Sequence, residues 1–307
     1  MLLGEHAVLA KKQAIVCAVS KRLRITLKPD STNKIKIIDS RLGFIEQDLN
    51  ELSVKAPFQY VLTTILLFKS RIKTGFTLDI ESDFSSVLGL GSSAAVTVAT
   101  VAIVYNWLYA KKLAPKKIFK HAKTAMLKVQ GIGSGADLAA SLYGGVLSYK
   151  SAPLKVTHLP LIPGLTAIYS GSKKSTLEVI ELVKLAQKKQ PKVYESIFNA
   201  MQVCVTRAIA AIKQGDILAL GQLFMHHQGL QYSLGVSNRM LDTLISQVCD
   251  YPEIFGAKIS GAGLGDCVIG LGTLREGVFP LDAEQQQQGV IQIPVMIDRH
   301  GLLYEHN

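Results

Sequence analysis

No residue between Phe84 and Ala110 carries a formal charge. An uncharged run longer than the roughly 20 residues that cross a bilayer ends up either as a membrane span or as a helix enclosed in a core. Its first part decides between them. Ser85-Ser86-Val87-Leu88-Gly89-Leu90-Gly91-Ser92-Ser93 is dense in Gly and Ser, which make a poor start to a lipid-facing helix. From Ala94 to Tyr109 apolar residues run nearly all round, as in a buried helix. The expectation is a glycine loop leading into a buried helix, with no membrane association.

The remaining composition is that of a globular chain. Of its 307 residues 48% are hydrophobic and 19% charged, which excludes a disordered chain or a fibre. Lys and Arg outnumber Asp and Glu by 34 to 23, a net charge of +11 that favours anionic ligands. The basic residues are dispersed in pairs such as Lys111-Lys112 and Lys188-Lys189 rather than interleaved with aromatics, so nucleic acid is not an expected partner. Cys17, Cys204, Cys249 and Cys267 form no CxxC pair, which suggests neither a disulfide framework nor a zinc site and fits a reducing cytoplasm. The start lacks the basic and apolar regions of a signal peptide, so secretion is not expected.

Period-2 alternation predicts strands around Leu23, Ile25 and Leu27 and around Phe76, Leu78 and Ile80. Ala114-Pro115 reads as a helix start. The stretch between Gly144-Gly145 and Pro163-Gly164 is turn-rich and is the candidate domain boundary. Helical spacing follows over 176–189, 194–213 and 218–230. The chain then returns to strands at Cys267–Leu271 and over the alternating Ile291, Ile293, Val295 and Ile297, while Gln285–Gln288 is expected to be a solvated loop.

Four segments could carry chemistry. Gly89-Leu90-Gly91-Ser92-Ser93-Ala94-Ala95 opens the buried helix. A helix N-terminus has unpaired N–H groups and about half a positive charge, so a glycine entry suits phosphate. It is neither a Walker A loop nor GxGxxG, and a plain Ser N-cap is the alternative. Gly131-Ile132-Gly133-Ser134-Gly135-Ala136-Asp137 sets one carboxylate at a second glycine-rich helix entry. Asp137 could orient or deprotonate a substrate hydroxyl, or merely favour the helix dipole. Lys258-Ile259-Ser260-Gly261-Ala262-Gly263-Leu264-Gly265-Asp266-Cys267 indicates a tight turn or a close backbone approach. Gly4-Glu5-His6 pairs a carboxylate with an imidazole near the start.

In this order and spacing the four segments resemble the GHMP small-molecule kinases, named for galactokinase, homoserine kinase, mevalonate kinase and phosphomevalonate kinase. The resemblance covers nearly the whole chain and is strongest to the mevalonate kinase branch, with phosphomevalonate kinase as the alternative. It implies an α+β, two-domain GHMP kinase fold, with a ribosomal-protein-S5-like N-terminal domain over 1–155 and a ferredoxin-like C-terminal domain over 156–307. It also implies an ATP-dependent phosphotransferase acting on mevalonate. Leu88, Gly89, Leu90, Gly91, Ser92 and Ser93 would wrap the ATP phosphates, with the Ser93 hydroxyl toward Mg²⁺. Asp137 would face the acceptor hydroxyl as the catalytic residue. Glu5, His6, Lys174, Thr176 and Ala262 would line the acceptor pocket. Homodimerisation is compatible with the family.

The chain departs from the family pattern at defined places. The family's lysine five residues before Gly4 would fall ahead of Met1. Its Mg²⁺-binding glutamate, eleven residues before the catalytic aspartate, is Met126 here. Lys11 and Gln13 stand where Gly and Pro are usual, and Leu264 and Asp266 where mevalonate kinases usually have Gly. Gly265-Asp266-Cys267 is closer to phosphomevalonate kinase.

Overall fold

The structure, a computed structural model, describes residues 1–84 and 88–305. Ser85, Ser86 and Val87 of the expected glycine loop lie outside the described residues. The chain divides into two compact units: Met1–Ser20, Val87–Gly89 and Gly144–His300 form the first, and Lys21–Ser86, Leu90–Tyr143 and Gly301–Asn307 the second. A single cut at 155 does not separate these units, because it falls within a strand, Leu154–Leu159.

In the first unit, strands β1 (Ala14–Cys17), β6 (Val146–Ser151) and β7 (Leu154–Leu159) form an antiparallel sheet in the order β1-β6-β7. The turn-rich stretch expected as a boundary is thus a hairpin. Pro153 sits in its turn and Pro160 and Pro163 lie beyond β7, so the prolines punctuate strands without interrupting a ladder. A second antiparallel sheet contains β8 (Leu165–Ser170), β9 (Ala257–Ser260), β10 (Cys267–Leu271) and β11 (Val290–Ile293) in the order β11-β8-β10-β9. With helices between β8 and β9 and between β10 and β11, this is the split βαβ arrangement of ferredoxin-like domains. The alternation expected to run to Ile297 stops at Ile293, where Pro294 removes a ladder donor.

Four helices separate β8 from β9: α5 (Thr176–Lys189), α6 (Pro191–Gln214), α7 (Ile217–Ser233) and α8 (Arg239–Cys249). Helix α6 buries Tyr194, Phe198, Met201, Val205, Ala208 and Ile212, alternating steps of four and three that lay one stripe on the core. Pro191 starts it and Gly215, in the left-handed conformation, ends it. The glutamine run is not a loop: Ala283–Gln287 is a short helix, α9, started by a reciprocal Asp282–Gln285 capping box, and Gln285 is buried. Glutamine repetition concealed a cap signal, an acid three residues before a glutamine.

The second unit holds a mixed sheet in the order β2-β5-β3-β4: β2 (Leu23–Pro29), β3 (Lys34–Asp39), β4 (Gly43–Asp48) and β5 (Phe76–Ser82), with β3 parallel to β5. Helices α1 (Gln59–Leu66), α2 (Ser92–Tyr109), α3 (Pro115–Gln130) and α4 (Ala136–Tyr143) complete it. Helix α2, from the uncharged run, is long and apolar enough to cross a membrane. Here it packs against α1, α3, α4 and β2, burying Ala94, Thr97, Val98, Val101 and Val104. The Thr97 and Thr100 hydroxyls donate to Ser93 and Val96 carbonyls one turn back, so the two polar groups buried on this helix are satisfied.

Candidate active site

In the second unit, the residue preceding α2 is Gly91, in the left-handed region at φ 81°, with Ser92 as the first helical residue. The plain Ser cap is therefore excluded. The Gly91 carbonyl accepts from Ala94 and Ala95, while among the described residues no side chain caps the helix and no acid occupies its first turn. The positive end of an eighteen-residue helix is left open to an anion. Asp137 occupies the first turn of α4, and a Cβ built on Gly91 would lie 3.9 Å from the Asp137 Cβ. The second unit therefore brings together Ser92, Ser93 and Asp137. Asp137 is exposed.

The first unit holds the other candidates. Leu88 and Gly89, the start of the expected phosphate loop, sit on the entry to β10: the Cys267 thiol donates to the Leu88 carbonyl at 3.3 Å. The Asp266 carboxylate packs on Gly89, where a Cβ would lie 2.9 Å from Oδ1. Only a glycine allows that approach at φ 68°. The β9–β10 loop is pinned by bonds from Leu264 N–H to Val236 O and from Asp266 N–H to Ser172 O. At Gly265 it consequently runs beside the backbone of Lys174, which is half-buried; Thr176 begins α5. His6 Nε2 meets the Ala262 carbonyl at 2.8 Å. His6, Ala262 and the Lys174 backbone thus meet at one loop, while Thr176 opens the helix two residues beyond Lys174.

Glu5 stands differently. It is 2% exposed, and Oε1 accepts from Lys258 Nζ at 2.6 Å, while Oε2 is enclosed with no hydrogen-bond partner. It presents no oxygen to a ligand here, contrary to the expectation of a pocket-lining carboxylate, because Lys258 draws it inward. Burial alone would raise its pKa, but the Lys258 ammonium, joined by His227 once acid protonates it, holds it down at about 2. Burial pushes the Lys258 ammonium down while Glu5 supports its charge.

His227 is buried, and burial pushes its pKa down to about 4. Its Nε2 accepts from Gly4 N–H at 2.9 Å, so the proton sits on Nδ1, 3.3 Å from Gln231 Oε1. His227 is therefore neutral, and its 3.7 Å approach to Glu5 is not an ion pair.

Sequence reasoning did not single out Lys258 or His227, although both left a signal. Lys258 lies between Ala257 and Ile259 in a buried strand, and those neighbours face α8 while it points to the opposite side. His227 and Gln231 continue the stripe of Leu220 and Phe224 on α7, where apolar residues are expected.

Among the described residues no three His, Cys, Asp or Glu side chains cluster as a metal cage, and Met126 is buried in α3. A thioether is no ligand for a hard cation. What remains beside the α2 N-terminus, the Ser93 hydroxyl and the Asp137 carboxylate, suits Mg²⁺ of the kind that keeps several waters and is held largely by substrate phosphates.

Comparison with known proteins agrees with this layout. The family model described as GHMP kinases N terminal domain matches residues 59–145, and that described as GHMP kinases C terminal matches 208–279. The mevalonate kinase of Pyrococcus horikoshii is 31% identical over 99% of this chain and 95% of its own length. Among solved structures, the Lin0012 protein of Listeria innocua superposes with a TM-score of 0.82 at 22% identity, covering 96% of this chain and 94% of its own. The mevalonate kinase of Methanococcus jannaschii does so with 0.76 at 24% identity, covering 96% and 95%. At these identities the structures attest the fold, and the sequence relatives attest the family. The chain belongs to the GHMP kinases, in the mevalonate kinase branch, and is an ATP-dependent small-molecule kinase.

Proposed function

We propose that this chain phosphorylates the primary hydroxyl of mevalonate with ATP, forming 5-phosphomevalonate and ADP. The observation that carries it is chain-long relatedness to mevalonate kinases, at 31% identity over 99% of the sequence, combined with an α2 N-terminus open to phosphate beside an exposed Asp137. The acceptor oxygen forms a bond to the γ-phosphorus as the bond to the bridging oxygen of ADP breaks. The hydroxyl proton leaves late, to Asp137 or to water, since a carboxylate is a weak base toward an alcohol. Positioning and charge neutralisation supply most of such catalysis.

Leu88 to Ser93 are assigned to the ATP phosphates, and the Ser93 hydroxyl to Mg²⁺, which when bound neutralises phosphate charge. His6, Lys174, Thr176 and Ala262 are assigned to the acceptor. A net charge of +11 suits two anionic substrates. We propose that the sequence segments 1–155 and 156–307 correspond to the N- and C-terminal family segments, one match falling in each, rather than to the two compact units, and we propose a cytoplasmic location without nucleic-acid or membrane partners.

The test is ADP release with MgATP and, separately, mevalonate, 5-phosphomevalonate, homoserine and galactose. Turnover is expected with mevalonate alone. Turnover with 5-phosphomevalonate instead would replace this assignment by phosphomevalonate kinase, and silence with all four would refute both.

A further inference from the structure

His6 has a backbone conformation that L-residues rarely adopt. Its φ and ψ are 59° and −51°, and Ala7 N–H donates across it to the Glu5 carbonyl at 2.6 Å. An i to i+2 bond around such a residue is the γ-turn of the strained hand. Strain of this kind persists only where the surroundings over-determine it, and it concentrates at functional sites.

Three tethers surround this turn, one from each residue of Gly4-Glu5-His6. Gly4 N–H donates to His227 on α7, Glu5 accepts from Lys258 on β9, and His6 bonds the Ala262 carbonyl in the β9–β10 loop. The tethers are themselves anchored. Lys258 Nζ also donates to the Ile259 carbonyl, and Ile259 N–H donates to Gln228 Oε1 at 2.9 Å, joining the edge strand to α7 one residue from His227.

We propose that Lys258, Glu5 and His227 are positioning residues: their buried cluster holds the strained turn at His6 and thereby sets where its imidazole stands for the acceptor. This rests on the assignment of His6 to the acceptor pocket. Because a carbonyl can only accept, the His6 Nε2 carries the proton and Nδ1 is left with a lone pair. Burial disfavours the imidazolium, so the ring is a neutral acceptor suited to a hydroxyl. On this account Glu5 serves the acceptor through His6 and does not touch it.

The test pairs kinetics with NMR of histidine-labelled protein. Glu5→Met with Lys258→Met removes both charges at similar volume, which generally preserves folding. The folded double variant is expected to raise the acceptor KM tenfold or more while the ATP KM stays within twofold, and its His6 is expected to lose the single Nε2–H tautomer. Parental KM values and an unchanged His6 signal in the folded variant would reduce the cluster to a purely structural role and overturn the proposal.

The parent protein supplies a measurement that needs no variant. His6 should show one tautomer, with titration below that of a free imidazole; mixed tautomers titrating like an exposed histidine would overturn the proposal. If the parent does not turn over mevalonate yet His6 is locked in the parent and released in the double variant, the positioning role stands and the choice of acceptor fails.

Discussion

Lys258→Met alone should both destabilise the protein and reverse the sign of its pH dependence. In the parent, Glu5 titrates near 2 when folded against an ordinary value of 4.5. A depressed carboxyl contributes stability above its unfolded pKa, and that contribution is lost as pH falls from about 4.5 toward 2. At 1.36 kcal/mol per unit, the shift corresponds to about 3 kcal/mol. Removing Lys258 leaves a carboxylate that is 2% exposed, with no cation beside it and with Oε2 already unpartnered. Breaking a buried pair in this way costs about 3–5 kcal/mol at neutral pH, a large share of the roughly 5–15 kcal/mol that holds a domain folded.

The Glu5 pKa then rises above its unfolded value, because burial outweighs the weaker influence of His227 and the N-terminal amine. Relative to the parent, in which buried His227 weakens the fold over the same range, the variant should regain stability as pH falls from 7 toward 5, where the parent's Glu5 contribution stays constant. Urea unfolding followed by circular dichroism at pH 7, 6 and 5 reads both effects, and Glu5→Met added to Lys258→Met should restore most of the loss. A single variant less than 1 kcal/mol below the parent at pH 7, with a parental pH slope, would refute the ion-pair account.

Asp137→Asn should lower kcat by about 10²–10⁴ with the ATP KM within twofold, as checked by steady-state ADP release; activity within a few-fold of the parent would remove Asp137 from the chemistry. Gly89→Ala places a methyl 2.9 Å from Asp266 Oδ1 at φ 68°, so it should cost about 1–2 kcal/mol and raise the ATP KM severalfold, read by melting and by nucleotide titration. Asp282→Ala removes the cap of α9 and should cost about 1 kcal/mol in urea unfolding while leaving both KM values at parental levels.

Elements whose periodicity is local were legible in the sequence. Thr176–Lys189 and Cys267–Leu271 begin and end where the pattern placed them, because a helical stripe and a buried run are both written in consecutive residues. Strands β3 and β4 were not anticipated. In β4 the burial is uneven, with Phe44 exposed and Gln47 buried, so the alternation that marks a half-buried strand is blurred there, whereas β3 does alternate, with Ile35 and Ile37 buried. The hairpin at 146–159 was hidden by prolines that read as a linker until their places at its turn and beyond its last strand were known. The glycine loop before α2, Asp137 and the Gly4-Glu5-His6 motif stood out by residue type and spacing, yet the pocket-lining role expected of Glu5 does not fit a carboxylate enclosed against Lys258.

The reason lies in what sequence separation conceals. Glu5 and Lys258 are 253 positions apart, and neither is unusual alone: an acid near a histidine and a lysine before a glycine loop are both ordinary. Their meaning arises when β9 turns Lys258 away from the apolar face that Ala257 and Ile259 supply and α7 carries His227 to the Gly4 amide. A buried lysine in a strand needs an anion, and a buried carboxylate needs a cation, so each predicts the other once either is known to be inside. Motif spacing locates candidate groups, because such motifs are short strings of consecutive residues. Groups that hold such strings in a strained shape come from distant elements, and they are found by asking which buried charges a fold has had to compensate.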